Sequence, residues 1–150
     1  MYRYFPGGRD ELVSTVVAWE YRRFFLRLYE AVRDAVTLEE VIERGLRVAH
    51  RSIEDHEVLQ MVLRTEPEAL EPILRAEAAP TRAQIAEFLV PYLEHHELAP
   101  GVEVTEAASF LGRMVLSYMG APGRWDLDDP DEVSRLVRVE LLAGIVPATR

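Results

Sequence analysis

Between Arg9 and Val36 the apolar residues Val13, Val17, Tyr21, Phe24, Leu28, Ala31 and Ala35 recur at steps of three and four. Only an α-helix gathers such a series onto one face, because side chains three and four apart lie above one another while a strand alternates with period two. A helix this long sets the scale of anything the chain can fold into. Gly8 serves as its N-cap, and Asp10 and Glu11 lie in the first turn, where the helix dipole favours negative charge.

The same period continues downstream. Thr37 followed by Glu40 is a capping box, and Leu38, Ile42, Gly45, Leu46, Ala49 and Ile53 run down one stripe to the end of a second helix. Short helices follow over Asp55–Arg64 and Pro67–Ala78. Pro80 marks the next start, and Ile85, Phe88, Leu89, Tyr92, Leu93 and His96 form its stripe. Pro91 lies inside that helix, removes a backbone donor and crowds the Glu87 carbonyl, so a kink is expected. Thr105 caps a helix carrying Ala107, Ala108, Leu111, Met114, Val115 and Tyr118, which "GAPG" at 120–123 ends.

In "DDPDEV" Asp129 is the N-cap, Pro130 the first helical residue and Glu132 the reciprocal cap of a last helix reaching about Val146. No alternating run reads as a strand, and no repeat is present. The expected fold is all-α, a bundle of six to seven helices. At 150 residues it forms one folding unit.

Composition narrows the function classes. Cysteine is absent, which excludes disulfides, thiolate metal sites and cysteine nucleophiles. No run approaches the ~18 apolar residues of a membrane span, and no signal peptide is visible, so the expected location is cytoplasmic, without a membrane partner. All seventeen basic residues are arginine, and the net charge is -9. With no basic cluster, the chain by itself is a poor match for nucleic acid.

Chemistry is sparse. The four histidines, His50, His56, His95 and His96, stand in no Glu-x-x-His or His-Glu-x-x-His pattern, and no serine sits in a nucleophile elbow. No enzyme activity, metal or cofactor is expected. The aromatic and methionine content points instead to a ligand cavity among the helices, lined by Tyr21, Phe24, Leu28, His50, Met61, Phe88, Tyr92, Met114 and Tyr118. The last helix carries apolar residues on two sides, and Gly112 lies within the helix before it, where a glycine costs about 1 kcal/mol unless close approach offsets it. A homodimer interface through Phe110, Met114, Leu136, Val139, Leu142, Ala143 and Val146 follows as an expectation.

The opening "YRYFPGGRDELV" resembles the joint between DNA-reading and effector-binding regions in the TetR family of transcriptional regulators. There a recognition helix ends in a Tyr-x-x-Phe pattern, a tight turn follows, and a basic residue, an acidic residue and a leucine begin a long connecting helix. Here Tyr2, Phe5, Pro6, Gly7, Gly8, Arg9, Glu11 and Leu12 match.

The resemblance implies a remnant of the DNA-binding region over residues 1–8 and a TetR-type effector-binding and dimerisation domain over 9–150. It implies a repressor responding to a small apolar or amphipathic effector, with Tyr2, Tyr4 and Arg9 near the DNA backbone. The first two helices and most of the recognition helix have no counterpart, so a complete DNA-binding head is not expected here, and operator DNA is a partner only where those helices are present. The alternative is a stand-alone helical protein that binds a lipid or other small molecule without touching DNA.

Overall fold

A computed structural model describes residues 7–148, apart from the side chains of Arg9, Asp10, Val13 and Ser14. Six helices account for the fold, and no strand occurs among the described residues. They are α1 (Gly8–Val32), α2 (Leu38–Glu54), α3 (Glu57–Thr65), α4 (Pro67–Glu94), α5 (Val104–Gly120) and α6 (Pro130–Leu136), the last running into a single π turn, Val137–Leu141.

Local chemistry accounts for most of the boundaries. The capping box at α2 is present in both directions: Thr37 Oγ1 accepts from Glu40 N at 3.1 Å, and Glu40 Oε2 accepts from Thr37 N at 3.4 Å. His56 caps α3 by accepting from Leu59 N on Nδ1 at 3.1 Å. Asp129 caps α6, with Pro130 behind it; Glu132 reaches past it to the backbone of Asp126 at 3.2 Å. At α5 the N-cap is Glu103 without a side-chain bond, not Thr105. At α1 it is Gly7 rather than Gly8.

Two sequence expectations fail for identifiable reasons. Pro80 does not start a helix: α4 is continuous through Pro72, Pro80 and Pro91. Pro80 and Ala76, whose carbonyl loses its helical donor, are both exposed, so water can replace the missing bond. The last helix does not reach Val146 as an α-helix. Leu142 N bonds to Val137 O at 2.8 Å, five residues back. That wider turn inserts a residue and shifts the helical phase, so that Leu136, Val137, Leu141 and Leu142 all enter the core. Gly144, at φ 82°, then turns the chain in a conformation that a Cβ disfavours.

The core gathers around α2, which contacts every other helix and the π turn. Leu46, Leu93, Leu111, Leu136 and Leu141 are its largest fully enclosed side chains, joined by Val32, Val41, Val133 and Val137. Among the described residues no polar or charged side chain is buried, so this core is wholly apolar.

The core occupies only one end of the bundle. On α1 the buried residues are Leu28 and Val32; on α2 they run from Leu38 to Ala49; on α4 they begin at Ile85. No described side chain is buried in Gly8–Trp19, in α3, or in α4 before Ile85. Among the described residues, one end is packed and the other lacks a core.

Charge at the packed end is pH-sensitive in opposing ways. Glu43 is raised above the usual glutamate value of 4.5, chiefly by burial and partly by Glu39 beside it, against a hydrogen bond from Ser134. A carboxyl raised in the folded state costs nothing below the unfolded pKa, and its cost is complete once pH exceeds the folded pKa. Glu40 is lowered by the backbone N–H groups of Val36 and Thr37, and Asp34 by Arg44 Nη1 at 2.6 Å. Their contributions are present above the unfolded pKa and lost as pH falls through the folded one. Glu43→Gln should accordingly raise the denaturation midpoint over the unsubstituted chain at pH 7 and converge with it near pH 4, in paired urea titrations. A constant offset across that range would contradict the assignment.

Candidate functional site

The expected pocket residues fall into separate groups. Leu28 lies against Gly45 of α2, whereas Phe24, Phe88 and Tyr92 belong to a seam between α1 and the second half of α4. Its rings are linked through Phe25: Phe24–Phe25 centroids lie 5.2 Å apart, Phe25–Phe88 6.5 Å and Phe88–Tyr92 5.3 Å, with Tyr29 against Phe88 at 5.1 Å. These edge-on and tilted contacts are those of packed aromatic side chains. Tyr21 lies one turn nearer the N-terminus of α1 and hydrogen-bonds Thr81 of α4.

The remaining members are elsewhere. His50 points from α2 towards the loop before α6; its Nε2 lies 3.3 Å from Asp128 Oδ1 but out of line for a hydrogen bond. Met61 stands 51% exposed on α3. Met114 is half-buried on α5, and Tyr118 donates its hydroxyl to Glu140. The structure does not bring His50, Met61, Met114 or Tyr118 into the seam.

Glu140 is a junction that periodicity did not single out. Besides Tyr118 it accepts from Trp125 Nε1 at 3.1 Å and from Arg124 Nη2 at 3.3 Å. Trp125 is buried, with the Arg124 and Arg135 guanidinium groups 4.4 and 5.8 Å from its ring. Every polar group here is occupied by another. The cluster anchors the 121–129 loop.

The expected interface residues also divide. Leu136 and Leu142 are buried in their own chain, so neither is available to a second copy. Phe110, Met114 and Val146 are half-buried, Ala143 is exposed, and Val139 is 59% exposed. Gly112 has a different role from the one its position suggested. A Cβ there would stand 2.8 Å from the Arg82 carbonyl oxygen, so the close approach it permits is between α5 and α4 of the same chain.

Tyr2 and Tyr4 lie outside the described residues. Arg9 is in the first turn of α1, and its side chain is likewise outside them. Among the described residues no three His, Asp or Glu side chains are grouped to hold a metal ion, and no helix is long and apolar enough to cross a membrane.

The end without a core offers a different set of residues. Trp19 and Val16 on α1, Val58 and Met61 on α3, and Ile73 and Leu74 on α4 are exposed, while Val17, Leu59, Val62 and Leu70 are half-buried. Arg23 stacks on Trp19 at 4.7 Å from the ring. Polar groups among them are the hydroxyls of Tyr21 and Thr81 and the Glu20–His56 pair. A surface hollow on α4, lined by Glu71, Pro72, Arg75 and Ala76, is open to solvent. No protein-family model, curated protein or solved structure matches the chain.

Proposed function

We propose that the chain is the effector-binding and dimerisation domain of a TetR-like transcriptional repressor, and that its effector is a small apolar or amphipathic molecule. The observation that carries this reading is the contrast between the two ends of the bundle. Helices with no fully buried side chain among the described residues at one end keep apolar side chains available there, with two hydroxyls for orientation, which is the usual composition of a small-molecule site. The long first helix joins that end to the seam with α4, as the connecting helix of such a regulator must. Operator DNA is a partner only in company with a complete helix-turn-helix.

Trp19 is a reporter at this end, since Trp125 is buried at the other. Titration with a saturated fatty acid, a bile salt and a planar aromatic probe, followed by Trp fluorescence and thermal unfolding, should give saturable quenching together with a rise in midpoint. Trp19→Phe should abolish the fluorescence change and leave the rise. No saturable response to any of the three would count against an effector site here.

Dimerisation uses α5 and the segment from the π turn to Val146, joined by the Tyr118–Glu140 bond; Val139 and Ala143 are exposed, and Phe110, Met114 and Val146, which also pack on the core, are partly exposed. An arginine at Leu142 would disrupt the core and could not test this; Val139 is the exposed position. Val139→Arg should halve the mass measured by light scattering while leaving the circular dichroism spectrum intact. A mass unaltered by the substitution would refute this interface.

A further inference from the structure

Residues 57–80 form a helical hairpin, α3 and the first half of α4, in which no side chain is buried. The hairpin leaves the bundle at His56 and rejoins it at Thr81. Each of these residues faces α1, and the residues they face are consecutive: His56 Nε2 lies 3.8 Å from Glu20 Oε2, and the Thr81 hydroxyl bonds that of Tyr21.

The two junctions differ in build. At the first, His56 Nδ1 accepts the Leu59 amide, which places the proton of a neutral imidazole on Nε2, facing the Glu20 carboxylate without any need for a positive charge. Gln60 Nε2 donates to Ile53 O at 2.9 Å and ties the start of α3 to the end of α2. At the second, Pro80 immediately precedes Thr81. It cannot donate to the Ala76 carbonyl, so α4 lacks one helical bond close to where its exposed half meets the half that enters the core at Ile85. Beyond Glu20, no described side chain of the Gly8–Trp19 arm of α1 is buried either.

We infer that residues 57–80 are a hinged flap and that Glu20 and Tyr21 are its shared latch, so that displacement of the flap is transmitted to the N-terminal arm of α1. The two segments are joined through one turn of helix. Releasing the latch loosens both, because among their described side chains none is fully buried. Local opening of such segments is governed by a few contacts rather than by global stability.

This coupling belongs to the chain alone and is tested without any ligand, so its outcome is separable from that of effector binding. Tyr21→Phe and Thr81→Val each delete one hydroxyl of the latch while keeping shape. Hydrogen exchange read by mass spectrometry should accelerate about 2- to 10-fold in both 57–80 and 8–19 for either variant, the range expected for one hydrogen bond. Exchange over 38–49 and 104–115 should not change. The double variant should be no faster than the singles, since both remove the same bond.

Acceleration confined to 57–80, or additive effects in the double variant, would overturn the coupling. So would acceleration spread evenly over the core segments, which would make the pair a support of the whole fold. Unaltered exchange in both variants would overturn it as well, since the Tyr21–Thr81 bond would then hold neither segment.

Discussion

Trp125→Ala should lower stability by about 3–5 kcal/mol, the cost of deleting a large buried aromatic side chain. At this chain length that is a fall in unfolding midpoint of roughly 10 °C. Trp125 is 6% exposed and lies in a loop, yet it does what helical core residues do: it fills space, and its indole donates to Glu140 Oε1 at 3.1 Å. Trp125→Phe separates the two contributions. It retains most of the apolar area and loses the donor, leaving Glu140 with Tyr118 and Arg124, so a cost near 1 kcal/mol is expected. Chemical denaturation of the three proteins gives the comparison. An alanine variant within 1 kcal/mol of the parent would mean that the 121–129 loop is not part of the core.

Gly112→Ala is the second large effect, and its sign runs against helix propensity. In an exposed helix interior, alanine for glycine stabilises by about 1 kcal/mol. Here the added Cβ would stand 2.8 Å from a backbone carbonyl oxygen, that of Arg82, and 3.5 Å from Ala86 N. Neither atom belongs to a flexible side chain that could turn aside, so α4 and α5 must separate along their most extensive contact. Overpacking of this kind costs about 1–3 kcal/mol, enough to reverse the propensity gain. A loss of midpoint with the oligomeric mass unchanged is the expected result. If Gly112→Ala instead stabilised the chain, the close approach of these helices would be wrong.

Much of this fold is legible in the sequence. The Thr37–Glu40 capping box, the Asp129–Pro130 start and the stripes of α1, α2 and α5 are local signals, and local chemistry makes those helices. Two departures show the limits of that reading. Proline is so often the first residue of a helix that Pro80 reads as a start, yet an exposed proline is tolerated in mid-helix when water can reach the carbonyl it deprives. The second apolar side of the last helix exists only if the period stays at 3.6. The π turn changes the period and sends Leu142 inward.

The candidate site was legible only in part. Tyr21, Phe24, Phe88 and Tyr92 share two helices that pack together, so their stripes predicted their company. His50, Met61 and Tyr118 lie on elements whose relative placement no periodicity encodes. The residues that matter most at the end without a core, Glu20, His56 and Thr81, carry no motif. Each is an ordinary polar residue made notable by what stands opposite it. Trp125 was hidden by its setting in "GAPGRWDLDDP", where glycine and proline read as loop and conceal a buried ring.

Hydrogen exchange on the unsubstituted chain tests the central claim most directly, namely that one end of this bundle is packed while the other, among the described residues, has no fully buried side chain. Amides of 57–80 and 8–19 should exchange about a hundredfold or more faster than those of 38–49, 85–93 and 104–115, because only the latter require global opening. Uniform protection along α1 and α4, with no break near Tyr21 and Thr81, would contradict it.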